Sequence, residues 1–179
     1  IAKGLGGGYM PLGAAVYTAE VYRTIAARFG TVASVHTYSG HTLACAAGLA
    51  VMQVIERDGL VAACKRQGDR LMEGLRRRLG GHDAVGDIRG RGLFVAVELV
   101  ANRQTGRPFP PALQLHDRVR RACLDRGLIC YPSPGTVDGI SGDHVLLSPP
   151  YIVTDAEIDE MVETLGDGID AALAGGAQA

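Results

Sequence analysis

Lys3-Gly4-Leu5-Gly6-Gly7-Gly8-Tyr9-Met10-Pro11-Leu12-Gly13-Ala14 sets a lysine against a glycine-rich turn. That pairing suits an enzyme working through a Schiff base. The amine must be deprotonated to attack an aldehyde, and glycines let backbone and cofactor approach with no side chain between them. A phosphate-cradling P-loop has the opposite order, with its glycines ahead of the lysine and a Ser or Thr behind it. The dinucleotide fingerprint fails as well: Gly4 and Gly6 have its first spacing, but Tyr9 stands where the third glycine belongs. Taken alone, a lysine ahead of a glycine turn is more often a solvated surface residue. Tyr9 is open between closing a pocket and simple packing.

A second segment bears on the first. His36-Thr37-Tyr38-Ser39-Gly40-His41 is a polar, hydroxyl-rich loop that leads into Thr42-Leu43-Ala44-Cys45-Ala46-Ala47-Gly48-Leu49-Ala50-Val51, a helix of small residues. Such a helix start offers unpaired N–H groups, a positive dipole end and nearby hydroxyls, which together suit a phosphate. An ordinary Ser or Thr N-cap is the simpler alternative. His41 has no second ligand at a useful spacing, so a structural histidine is expected there and no metal site.

Together the two segments resemble the class III pyridoxal-phosphate aminotransferases. Ala2-Lys3-Gly4-Leu5 through Pro11-Leu12-Gly13 is similar to the family's lysine loop, and Thr37-Tyr38-Ser39-Gly40-His41 to its second signature. Ile88-Arg89-Gly90-Arg91-Gly92-Leu93-Phe94 through Glu98-Leu99 looks like the family's small-domain strand. Ser148-Pro149-Pro150 with Thr154-Asp155-Ala156-Glu157 looks like its closing strand and terminal helix. The resemblance runs from Ile1 to about Leu173. It implies an α/β protein of the PLP-dependent transferase fold type I, comprising part of the large domain and a C-terminal small α+β domain. The expected boundaries are residues 1–81 for the large-domain part, 82–174 for the small domain and 175–179 for a disordered tail. In the family the lysine lies beyond the middle of a much longer chain. The sequence thus resembles a C-terminal half, without the family's phosphate loop, ring-stacking aromatic and pyridinium-pairing aspartate.

The resemblance also implies roles. Pyridoxal 5'-phosphate would be the cofactor. Lys3 would hold it as a Schiff base and, as free amine, carry the proton in a ping-pong transamination. Thr37 would reach the cofactor phosphate of the neighbouring subunit, with the backbone N–H of His36 sharing it, so that a homodimer builds shared active sites. The substrates would be an amino donor, either an amine or an ω-amino acid, and a keto-acid acceptor such as pyruvate. Members acting on ornithine-like amino acids carry an arginine three residues before the Pro-Pro pair, where this chain has Leu146. Other members place an arginine near the position of Gly139, and the loop 135–142 contains none. These departures argue against a dedicated α-carboxylate clamp from this segment. Arg89 and Arg91 remain alternatives for such a charge, but their flanking glycines suggest a turn. Thr42 replaces a proline common after Ser-Gly-His and is compatible with a helix. Two other readings stay open: an aminomutase or decarboxylase of the same fold, and an inactive truncated fragment whose helices at 39–57 and 60–79 bare wide apolar faces.

Composition narrows the function classes. The 179 residues carry a net charge of -1, so no bulk charge points to nucleic acid or a membrane surface. Arg76-Arg77-Arg78 ends an amphipathic helix, where cations favour the dipole. Cys45, Cys64, Cys123 and Cys130 form no Cys-x-x-Cys pair and lie in apolar patterns, which fits reduced, buried thiols in a cytoplasmic protein. No apolar run approaches the roughly 20 residues of a membrane span.

The periodicity predicts a strand over 11–18, a short helix over 19–28, a loop over 30–38 and a helix from Ser39 to about Arg57 that Asp58-Gly59 stops. A second helix follows over 60–79, with Cys64, Leu71, Leu75 and Leu79 in line. Beyond it come a strand over 93–99, a helix over 112–126, strands over 128–131 and 144–147, and a last helix opened by the capping box Thr154/Glu157.

Overall fold

A computed structural model describes residues 1–32 and 36–175, and they form two compact units, Ile1–Leu60 and Val61–Ala179.

In the first unit, Lys3–Gly6 make a short 3-10 turn, followed by α1 (Ala19–Phe29) and α2 (Thr42–Arg57). The Thr18 hydroxyl accepts the Val21 N–H at 3.3 Å and caps α1, which ends at Gly30 in the left-handed region. The start of α2 differs from a Ser or Thr cap: His41 Nδ1 accepts the Ala44 N–H at 3.3 Å. The helix stops where the sequence indicated, with Asp58 at the cap and Gly59 at φ +60°. The strand expected over 11–18 does not form. A strand needs a ladder partner, and the described residues of this unit contain no other strand. One reciprocal pair remains, in which the N–H of Ala14 and the amino group of Ile1 each donate to the other's carbonyl at 2.8 Å. Of the loop expected over 30–38, residues 33–35 lie outside the described residues.

The second unit is an antiparallel sheet covered on one face by helices. It comprises α3 (Leu60–Leu79), which enters it from Val61, then β1 (Val85–Arg91), β2 (Phe94–Leu99), α4 (Leu115–Leu124), β3 (Tyr131–Ser133), β4 (Asp143–Leu147) and α5 (Asp155–Ala174). The strand order is β1-β2-β4-β3, antiparallel throughout. Alternation puts Val95, Val97, Leu99, Val145 and Leu147 on the covered face. There they join Leu71, Leu75 and Leu79 of α3, Val119 of α4, and Ile158, Val162, Leu165 and Ile169 of α5 in one core.

Two expectations change for that reason. Helix 60–79 does not bare its apolar face, because Leu71, Leu75 and Leu79 are fully buried. The break between units correspondingly falls one helix earlier than residue 81. Polar contacts fasten the same helix pair. Arg70 holds Asp159 at 2.5 Å, and Arg78 holds Asp167 and Asp170 at 2.9 Å each and Glu163 at 3.4 Å. Arg78 thus engages the acids of α5 as well as ending its own helix.

Smaller differences have local causes. The stretch 88–99, which the resemblance likened to one strand, is a hairpin: the periodicity placed no strand before 93, since Gly86, Gly90 and the charged residues of β1 mask any alternation, and β1 pairs with β2 across the turn at Gly92, φ +56°. Helix α4 is shorter than 112–126, because Pro111–Leu113 form a separate 3-10 turn and Gln114 turns left-handed at φ 49°. Its first turn is capped from β4: the carboxylate of Asp143 accepts the His116 N–H at 3.2 Å and contacts His116 Nδ1 at 2.8 Å. The strand expected over 128–131 sits at 131–133, where Pro132 is tolerated on the sheet edge. The capping box at Thr154/Glu157 forms as its sequence indicates. Of the expected tail, Gly175 closes α5 and 176–179 lie outside the described residues.

Candidate active site

Lys3 stands at the head of the 3-10 turn in the left-handed region, φ 55°, after an extended Ala2. That conformation is uncommon for a side chain larger than glycine, and such positions concentrate at functional sites. The turn holds it: Leu5 N–H donates to Ala2, Gly7 to Gly4, and Tyr9 to Gly6, all at 3.0–3.2 Å. Gly7, at φ +60°, is where the turn meets α2; a Cβ there would lie 2.8 Å from Val51 Cγ2. Gly4 and Gly8 face open space, with nothing within 4 Å of a built Cβ. Lys3 itself is exposed, and among the described residues its amine has no hydrogen bond or ion pair. The chain has one other lysine, Lys65, and that one is paired with Asp69 at 2.8 Å. Tyr9 is 83% exposed and does not pack within the unit.

The second signature forms a tight turn ahead of α2. Ser39 Oγ accepts the His36 N–H at 3.1 Å, and the Ser39 N–H donates to the His36 carbonyl at 2.9 Å. The N–H expected to share a phosphate is therefore engaged inside the turn. Thr37 is exposed, and its hydroxyl has no partner among the described residues. His41 caps α2 through Nδ1, which gives it the structural role, and no group of His, Cys, Asp and Glu among the described residues could hold a metal ion. No hydrogen bond joins Lys3 to His36 or Thr37. Sequence reasoning missed Ser39 and Val51, which shape the two turns. A serine three residues after His36 was the available signal for the first; nothing in the sequence pointed to the second.

In the second unit Arg89 is a strand residue, not part of a turn. It lies opposite Ala96 and is ion-paired to both Glu98 and Asp87 (3.0 Å for Asp87). Those two carboxylates hold its guanidinium firmly in the charged form, the Glu98 hydrogen bond contributing most. Arg91 ends β1 without a salt bridge among the described residues. Leu146 is half-buried on β4 and lines an apolar cavity of about 390 Å³ with Ile129, Tyr131, Pro149, Pro150 and Met161.

An exposed amine on a constrained turn, an open glycine face and a hydroxyl beside a helix start lie together in the first unit, and residues 1–169 match the family model for class-III aminotransferases. The chain belongs to that family. It is 40% identical over 97% of its length to an uncharacterised aminotransferase of Schizosaccharomyces pombe, of which it spans 38%. Among solved structures it resembles a transaminase of the marine bacterium Virgibacillus, with a TM-score of 0.88 at 34% identity, covering 97% of this chain and 39% of that one. A PLP-bound aminotransferase mutant from Vibrio fluvialis gives 0.85 at 30% identity, covering 97% and 37%. The fold is thus part of that of the PLP-dependent transaminases, and the chain spans between about a third and two-fifths of the length of the relatives it matches. Family and bound neighbour alike indicate pyridoxal phosphate as the cofactor, and the free amine of Lys3 fits its aldehyde. No described helix is long and apolar enough to cross a membrane.

Proposed function

We propose that this chain supplies the lysine side of a transaminase site that moves an amino group from an amine or ω-amino acid to a keto acid such as pyruvate. When bound, pyridoxal phosphate supplies an electron sink for negative charge at the substrate carbon. Lys3 Nζ is the covalent anchor for the cofactor and, once displaced by the donor amine, the base that removes the proton from the substrate carbon and returns it on the far side of the transfer. The turn that fixes Lys3 in the left-handed region limits where that amine can swing. Thr37 donates its hydroxyl to the cofactor phosphate, in a homodimer where the threonine serves the neighbouring site. The first N–H groups of α2 add a positive dipole end.

The substrate class rests on what surrounds Leu146. That position and its cavity are apolar, and Arg89 is already neutralised by Glu98 and Asp87. The unit therefore offers a plain amine or a distant carboxylate a better fit than an α-carboxylate, which would call for a fork-like arginine. The observation that carries the whole reading is the contrast between the chain's two lysines, one free on a constrained glycine turn and one paired on a helix surface.

The test is to add pyridoxal phosphate, reduce with borohydride and map the labelled peptide. Label on Lys3, abolished in Lys3→Ala, is the expected result. Label on Lys65, or equal label on both lysines, overturns the assignment.

A further inference from the structure

The turn between α3 and β1 is tied by a side chain that the function leaves unused, His82. Its backbone closes the turn on both sides: the His82 N–H donates to the Leu79 carbonyl at 3.0 Å, and its carbonyl accepts the Val85 N–H at 3.0 Å. The ring adds two further ties. Nδ1 accepts the Ala84 N–H at 3.1 Å, and Nε2 meets Oδ1 of Asp170 on α5 at 2.9 Å. The side chain is 20% exposed, so a proton from solvent can reach it. Ala84 is buried, and its carbonyl holds the Val100 N–H at 2.9 Å beside Val85 and Leu99, the first pair of the β1–β2 ladder.

These contacts fix the tautomer. An imidazole nitrogen that accepts an N–H carries no proton of its own, so the neutral ring keeps its single proton on Nε2 and donates it to the Asp170 carboxylate. A second proton has only Nδ1 to occupy. There it points at the Ala84 N–H, donor against donor, and a buried backbone N–H loses its acceptor. The bond to Asp170 survives that step and becomes charge-assisted. Asp170 is the opposite charge in contact with the ring. Arg78 of α3 is the like charge on the same carboxylate, and it also engages Asp167 and Glu163 of α5. Asp83, the next residue in the turn, is exposed, and Arg103 donates to the Gly80 carbonyl at 2.5 Å.

We propose that His82 is a pH-sensitive latch joining α3, β1 and α5: the neutral ring closes the turn on Ala84, and the protonated ring releases Ala84 while keeping Asp170. The released segment is the entry to β1, an edge strand whose pairing with β2 already shifts register between Val85 and Asp87. Acid therefore loosens one end of the edge strand and leaves the core beneath it in place.

The experiment follows the whole chain by NMR between pH 8 and pH 5. Long-range nitrogen–proton spectra of the imidazole read the tautomer. Amide hydrogen exchange, corrected for its intrinsic pH dependence, reads the protection of each N–H. The expected result is a neutral ring with its proton on Nε2, and protection of Ala84 that falls about tenfold as the ring takes its second proton. The amides of Val97 and Val145, paired in the middle of the sheet, keep their protection. In His82→Ala, Ala84 is weakly protected at both ends of the range. Asp170→Asn keeps an oxygen to accept from Nε2 but removes the charge, so the fall at Ala84 moves to lower pH; an unmoved fall overturns the latch to α5. A neutral ring protonated on Nδ1, a ring still neutral at pH 5, or Ala84 protection that outlasts the second proton overturns the proposal. So does a pH-dependent fall at Ala84 that persists in His82→Ala.

Discussion

The two units divide labour in opposite ways. Among the described residues, every one of the largest fully buried side chains, from Leu71 to Ile169, belongs to the second unit, whereas Ala44 is the one buried hydrophobic residue of the first. Yet Lys3 and Thr37 lie in the first unit, on turns whose geometry comes from backbone hydrogen bonds and a glycine seat on α2. Leu43 and Leu49 of that helix are each 61% exposed. Precision at Lys3 therefore rests on local turn chemistry, while stability in the second unit rests on interlocked side chains. Binding and catalytic residues commonly sit on such connecting segments.

The sharpest way to break that contrast is to hollow out one side. Leu75→Ala removes a fully buried side chain between α3 and the sheet and is expected to cost about 3 kcal/mol in urea unfolding. Hydrogen exchange should speed up across the second unit and leave the amides of the Lys3 turn and α2 nearly unchanged. If both regions lose protection together, they unfold as one body and the division fails. A smaller effect comes from glycines. A Cβ at Gly68 would fall 2.2 Å from the Gly92 carbonyl carbon, a backbone atom that cannot swing away. Gly68→Ala should cost about 2 kcal/mol by forcing α3 off the hairpin. Gly4→Ala meets nothing within 4 Å and should stay within about 0.5 kcal/mol. Thermal melts of the two variants measure the difference directly.

What the sequence revealed follows the same division. The helices of both units were legible, because fourfold spacing along α3, the Thr154/Glu157 box and the Asp58-Gly59 stop are local signals. Strand β1 was hidden, because its pairing with β2 is a tertiary fact that Gly86 and Gly90 conceal. The predicted strand over 11–18 had the alternation but no ladder partner, which no local pattern can supply. At the candidate site, Lys3 stood out by its glycine context and Thr37 by its loop. The engagement of the His36 N–H by Ser39 was not visible, since a serine three residues on can cap, turn or simply face solvent. The role of Arg89 was misread for the same reason as β1: its partners Glu98 and Asp87 meet it only once the hairpin pairs.

The smallest effect tests the charge side of the comparison. Asp170 is held below the usual carboxylate range chiefly by the hydrogen bond from Arg78, with His82 adding to it against partial burial. A carboxylate whose folded value is depressed contributes stability above its unfolded value, and that contribution fades as pH falls from about 3.8 through the lower folded value. Because Asp170 is half exposed, solvent screening keeps the gain under about 1 kcal/mol. Asp170→Asn should accordingly lower the urea midpoint at pH 7 and leave it near that of the parent at pH 3. A loss of equal size at both pH values would assign the contact to packing instead of charge. Among its described residues the first unit has no counterpart: Arg57 and Asp58 are adjacent in the chain, so their pair at 2.6 Å can re-form in the unfolded ensemble and cancels from the difference. Acid sensitivity should therefore track α3 and α5, not the turn that carries Lys3.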